Sequence, residues 1–227
     1  MALTSAQIVT QATQICRVPG MVSQAGQQLN AILGDLCQTY DFDTIRETTT
    51  LNVTSASASY ALPADFLRTR EVFYSINGSI FWVTPFNNNM ADYDQMFQGP
   101  GINNYPEKYA TQVEISPVLM WFWPPPNIPL AITVRYQGQQ PDIAVAENST
   151  TVPWFTNQRF LIKRLTADLG AMAGDQRAQT WSEEADHMLR NYLAMSDDKE
   201  GRSMTVPLDP NRFRVTANLK PTKITVW

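Results

Sequence analysis

The chain has 227 residues, of which 44% are apolar, enough for one large globular domain or two small ones. Only 17% are charged and the net charge is −4 at pH 7, which argues against non-specific nucleic-acid binding by the body of the protein. The start, MALTSAQ, has neither a basic stretch nor an apolar core, and the longest apolar run, Val118 to Trp123, is six residues, so neither a signal peptide nor a membrane span is expected.

Residues 4 to 16 read as a short helix: Thr4 with Gln7 three residues on is a capping-box signature, and Ile8, Ala12 and Ile15 make an apolar stripe. Val18-Pro-Gly20 breaks it. A second helix is predicted from about Ser23 to Tyr40, with Leu29, Ile32, Leu33, Leu36, Cys37 and Tyr40 at i, i+3, i+4 spacing. The period then changes to alternation of β-branched residues over Thr44 to Thr54, and a short strand is predicted at Ser59 to Pro63. Arg70 to Ile76 and Ser79 to Thr84 flank Asn77-Gly78, a two-residue hairpin signal. Residues 85 to 106 are rich in Asn, Gly and Pro around one helical stretch, MADYDQMF. Strands resume at Lys108 to Ile115, Val118 to Trp123 and Ala131 to Gln137, with the stiff Pro124-Pro-Pro126 between the last two. Helices return at Asn157 to Ala173 and Asp175 to Met195.

These elements predict an α+β fold. The N- and C-terminal helical hairpins, each too poor in apolar surface to stand alone, would pack as a four-helix bundle. That bundle is interrupted by an inserted β-rich domain of six or seven strands, a sandwich or a small barrel, and is followed by an extended C-terminal arm. The boundaries read as 1–43 and 152–200 for the bundle, 44–151 for the insertion and 201–227 for the arm.

No catalytic constellation is found. The single histidine, His187, sits beside Asp186, Glu183 and Glu184 and reads as a solvated helix residue, with no partner at zinc-ligand spacing. Asp41 and Asp43 flank Phe42 and could be a carboxylate pair; a polar loop is the plainer reading. Asp197, Asp198 and Glu200 could gather a cation but lack the spacing of a calcium loop. Cys16 and Cys37 fall on apolar helix positions, as buried thiols do; a disulfide is possible but nothing supports it. Trp121, Phe122 and Trp123 could stack sugars. Period 2 sends the two Trp residues to one face and Phe122 to the other, so at least one face belongs to a core. No enzyme activity, cofactor or metal is therefore expected.

The last stretch differs from the rest. From Gly201 to Trp227 it carries Arg202, Arg212, Arg214, Lys220 and Lys223 against one acid, Asp209, leaving 12 bases and 20 acids in the remainder. It has no helical period and cannot form a core. Such an arm is expected to order on another molecule, a protein groove rather than nucleic acid, because its charges are interspersed with Pro, Val and Thr.

Several stretches resemble the head-to-tail adaptor (connector) proteins of tailed bacteriophages, the group that includes tail tubular protein A of short-tailed phages. They are Val18-Pro-Gly20, Leu29-Asn30, Tyr40-Asp-Phe42, Tyr60 through Arg68 (YALPADFLR), Tyr105-Pro106 and Pro124-Pro-Pro126. Val134-Arg-Tyr136, Pro153-Trp-Phe155, Leu189 through Leu193, Asp198-Lys-Glu200 and Leu208 through Phe213 complete the set. The resemblance implies a virion protein made in the host cytoplasm. It would be a homo-oligomer, a ring of twelve copies beneath the portal protein. The ring would extend the channel through which double-stranded DNA passes without specific binding, and would dock the tail nozzle protein and in some phages tail fibres, with no membrane contact. On this view Arg202, Arg212, Phe213, Arg214, Lys220, Lys223 and Trp227 engage the portal, with Phe213 and Trp227 as anchors. Asn87, Asn88, Asn89, Tyr93, Asn103 and Asn104 belong to a loop that would meet the nozzle or fibres. The alternative is a tail module that recognises host-surface carbohydrate through the β-rich domain.

Overall fold

A computed structural model of the chain describes residues 2–54, 57–97 and 104–198. In chain order its elements are α1 (Ser5–Cys16), α2 (Val22–Thr39), β1 (Arg46–Val53), β2 (Ser59–Ala61), β3 (Phe66–Ile76), β4 (Ser79–Trp82) and β5 (Thr84–Pro85). They continue with α3 (Met90–Phe97), β6 (Lys108–Gln112), β7 (Leu119–Trp123), β8 (Leu130–Gly138), α4 (Gln158–Met172) and α5 (Ala178–Asp198). The fold is α+β, as the change of period predicts.

The helices begin and end for local reasons. Thr4 accepts from the Gln7 backbone N–H and donates its own N–H to the Gln7 side chain, so the capping box at α1 is real. The first free N–H groups of α1 are met from far away: Ser5 and Ala6 donate to the carbonyls of Thr151 and Ser149. Asn157 caps α4 by accepting from Phe160 N–H. α4 ends in a Schellman turn, with Gly174 at φ 72° and Asp175 N–H returning to the Gly170 carbonyl. Just beyond, Arg177 donates through side chain and backbone to the Asp175 carboxylate and holds it down to about 2.

All four long helices feed one apolar core. Ile8, Val9 and Ala12 of α1, Leu29, Leu33 and Leu36 of α2, Leu161, Leu165 and Leu169 of α4, and Trp181, Ala185 and Leu189 of α5 are buried together. At about 25 cal/mol per Å2 each of the larger side chains among them contributes on the order of 2 kcal/mol, and each Ala less. α4 is central and packs against α1, α2 and α5, while a cleft separates α2 from α5. Cys16 and Cys37 are buried free thiols that donate to the carbonyls of Thr166 and Gly138. An aromatic cluster closes one end: Phe42 lies 5.3 Å from Phe155, 5.6 Å from Trp154 and 6.1 Å from Tyr192.

The eight strands make two four-stranded sheets, ordered β1-β8-β3-β4 and β2-β7-β6-β5, antiparallel except for β5 on β6. The sandwich-or-barrel alternative thus resolves to two sheets with one core between them, built from Val53, Val72, Tyr74, Met120, Phe122, Ile132, Val134 and Tyr136 among others. β1 pairs along its whole length with β8, with Arg46 opposite Gln137, so the chain enters and leaves the sheets side by side.

The helices and sheets are joined by charge as well as by chain. Ordinary alternation from the inward Phe66 would point Arg68 into the sheet core. Register shifts between Phe66 and Arg68 and between Thr69 and Glu71 prevent this. Arg68 reaches Asp41 and the Gln38 carbonyl, and Arg70 reaches Asp43 at 2.9 Å. Asp43 is also 3.5 Å from Arg46. The carboxylate pair of the sequence is therefore held by three guanidinium groups at the junction.

A Cβ on Gly170 would meet the Trp181 ring at 2.9 Å, where a buried indole cannot swing aside. Gly170→Ala should cost about 2 kcal/mol and lower the thermal midpoint, read by circular dichroism, by roughly 4–8 °C. Gly26→Ala meets chiefly the movable carboxylate of Glu147 and should cost less; equal losses at both sites would refute this account of the α4–α5 approach. The Tyr136 hydroxyl donates to Asp65, and burial first, then the Asp65 charge, push it up to about 12. Its folded pKa is above the ordinary value, so this stability is complete below pH 10 and is lost as pH rises through 12. Alkaline unfolding should steepen in that window, and Tyr136→Phe should flatten the curve there; an unchanged slope would sink the assignment.

Candidate protein-interaction surfaces

The hairpin between β3 and β4 has the geometry its turn residues demand. Asn77 and Gly78 both take positive φ, 50° and 81°, as a two-residue primed turn requires. Among the described residues β4 is an edge strand that pairs only with β3. Its side chains Ile80, Phe81 and Trp82 are 58%, 44% and 57% exposed. Phe81 stacks on Tyr74 at 5.5 Å, Tyr74 stacks in turn on Tyr105, and Trp82 leans on Phe73 from the other face. A recess of about 430 Å3 lies between this hairpin and Asn104, Tyr105, Pro106 and Glu107. An edge strand with three consecutive exposed apolar residues and neither charge nor proline has the properties of a surface that another protein covers.

The predicted Asn-rich contact loop divides between two places. Asn104 is exposed at the hairpin recess. Asn87, Asn88 and Asn89 lie at the start of α3, on the outer side of the second sheet, and are exposed too. Asn88 donates through backbone and side chain to Asp92, which holds that carboxyl below its usual range. Asn89 accepts from Thr111 N–H and donates to its carbonyl, so its amide takes the place of a strand on β6. Tyr93 is 2% exposed, wedged between Phe86 and Trp121. Tyr93 therefore fastens α3 to the sheet. Asn103 and the arm residues Arg202, Arg212, Phe213, Arg214, Lys220, Lys223 and Trp227 lie outside the described residues.

Other candidates take structural places. Phe122 is fully buried in the inter-sheet core near Tyr60. Trp121 and Trp123 occupy the opposite face, half-buried beneath α3 and Phe86. That face is used for packing, so the three residues offer no open stacking platform. His187 is exposed on α5, and the side chains of Asp197, Asp198 and Glu200 lie outside the described ones. Among the described residues no group of His, Cys, Asp or Glu is placed to hold a metal, and no helix is long and apolar enough to cross a membrane.

The cleft between α2 and α5 has a different character. It encloses about 300 Å3 over α4, with Ile32, Leu36, Phe160 and Leu189 as its apolar lining. Asp35, Asp168 and Asp186 stand around it with one base, Arg164. Arg164 is 3.5 Å from Asp168 and 3.6 Å from Asp186, and Gln28 donates to Asp168 at 3.0 Å. Asp35 is exposed and has no ion-pair partner among the described residues.

Neither the hairpin's exposure nor the cleft was legible in the sequence. The sequence places Ile80-Phe81-Trp82 only in the second arm of the Asn77-Gly78 hairpin, and it is the strand order that puts that arm at an edge. The cleft depends on how far α2 and α5 stand apart.

Comparison with curated proteins finds no match. The sequence model of the SU10 adaptor protein family matches residues 3–211. The match covers most of the chain, all of the helical core, both sheets and the first part of the C-terminal segment, and on that extent the chain belongs to the SU10 adaptor protein family, a family of bacteriophage adaptor proteins.

Proposed function

We propose that this chain is a structural adaptor of the virion that forms a ring beneath the portal protein, extends the DNA channel and docks the tail nozzle, and in some particles fibres. A ring of twelve copies is the arrangement the family resemblance implies. The helices of residues 1–43 and 152–200 would act as one bundle domain and residues 44–151 as its insertion. The common helical core and the side-by-side entry and exit at Arg46 and Gln137 support that division. The work is interfacial and needs no covalent chemistry, in keeping with Asp41 and Asp43 being held in ion pairs.

The observation that carries the reading is the apolar edge strand β4 with its aromatic neighbours, a surface of the kind that is covered in an assembly. Because Asn104 shares its recess, this hairpin is the proposed contact for the nozzle or fibres, with Asn87, Asn88 and Asn89 as a separate exposed patch. The basic arm, with Phe213 and Trp227 as anchors and Arg202, Arg212, Arg214, Lys220 and Lys223 as its charges, is the proposed contact for the portal. The excess of acids in the rest of the chain suits a channel wall that repels DNA in transit.

The test is electron microscopy of the full chain mixed with the portal protein of its particle. A second ring stacked under the portal, lost on deletion of residues 202–227, is the expected outcome. Bare portals at micromolar excess of the folded chain would overturn the reading. A second experiment separates the two contacts. Replacing Ile80, Phe81 and Trp82 with Ser should leave the ring on the portal but weaken nozzle attachment at least about 100-fold, at roughly 1–2 kcal/mol per anchor. Unchanged nozzle binding would remove the hairpin from the interface.

A further inference from the structure

The proposed assembly leaves the cleft between α2 and α5 without a role, and its chemistry is selective. Leu36, Phe160 and Leu189 give it an apolar floor. Three carboxylates face one guanidinium, and that guanidinium is already shared between Asp168 and Asp186. Asp35 has no counter-charge among the described residues. An apolar floor with an acidic rim favours a segment that carries an apolar side chain between cations.

The same chain carries such a segment. Residues 199–227 follow α5 directly and include Arg212-Phe213-Arg214. In an extended stretch successive side chains alternate, so Phe213 would enter the floor while Arg212 and Arg214 turn toward the carboxylates of the two walls. Reach is not limiting. About 14 residues separate Asp198 from Arg212, up to roughly 46–50 Å of extended chain. Leu189 lies only about 14 Å back along α5. A tethered segment also has an effective concentration on the order of millimolar, well above that of any second copy in micromolar solution.

We propose that the α2/α5 cleft binds the Arg212–Arg214 segment of its own chain, holding the arm on the body until a portal displaces it. The arm is common to this proposal and to the portal reading, but the contact is measured with no portal present, so each can fail without the other. Phe213 is replaced by p-benzoylphenylalanine in the full chain, which is irradiated at low micromolar concentration and mapped by mass spectrometry. Adducts are expected within residues 32–40 and 186–189, in the monomeric band. D35K with D186K, both at exposed positions, should cut that yield about tenfold, and adding R212E and R214E to them should restore it. The restoration excludes misfolding as the cause of the loss. Adducts scattered over the body, cleft adducts confined to a dimeric band, or a yield indifferent to D35K and D186K would each overturn the proposal.

Discussion

The two ends of the described chain must meet for either to be buried. α1 and α2 pack on each other, and their stripes of Ile8, Val9, Leu29 and Leu33 are completed by α4. The polar groups follow the same rule. The Cys16 thiol, the first N–H groups of α1 and Leu3 are satisfied by Thr166, by Ser149 and Thr151, and by Gln158. This closure constrains everything between. The strands must begin and end at one place, and the first and last strands are paired neighbours. The junction then needs polar fastening, since Gln137 is fully buried there against the Tyr40 carbonyl. Each half-exposed ion pair of Asp41 and Asp43 is worth about 1 kcal/mol or less. Their contribution is chiefly orientation, through a network that one pair alone would not supply.

Much of this was legible residue by residue. The capping box at Thr4, the helical stripe of α2, the Asn77-Gly78 turn and the helical MADYDQMF stretch each carry their signal within a few positions, because caps, turns and amphipathic faces are local physics. Several of the stretches that resemble phage adaptors are anchors of long-range packing. Phe42, Phe155 and Tyr192 come from three of them and meet in one aromatic cluster. Asp41 and Arg68 come from two and form an ion pair, and Asp65 and Tyr136 a hydrogen bond. Asn30 ties α2 to the backbone of Ile143 in both directions. Such residues identify a family through its fold and not through a reaction.

The remainder was illegible for stated reasons. The two bulges in β3 that redirect Arg68 and Arg70 arise from pairing with β8, about 65 residues away in sequence. Tyr93 belongs to a polar, Asn-rich stretch and gives no sign that it is buried; only the Trp121 side of the second sheet explains it. Strand order and helix spacing create the surfaces, and neither is written in any window of sequence.

The closure of the helical core also has a direction in time. On the ribosome α1 and α2 emerge roughly 120 residues before α4, on the order of ten seconds at ordinary rates of synthesis. Through that interval the faces that α1 and α2 turn toward α4 stay uncovered, while the intervening sheets can already pair β1 with β8. A chain stalled or cleaved before α4 would leave those faces bare, a substrate for chaperones and proteases. Every copy with a closed helical core has therefore been read through past α4.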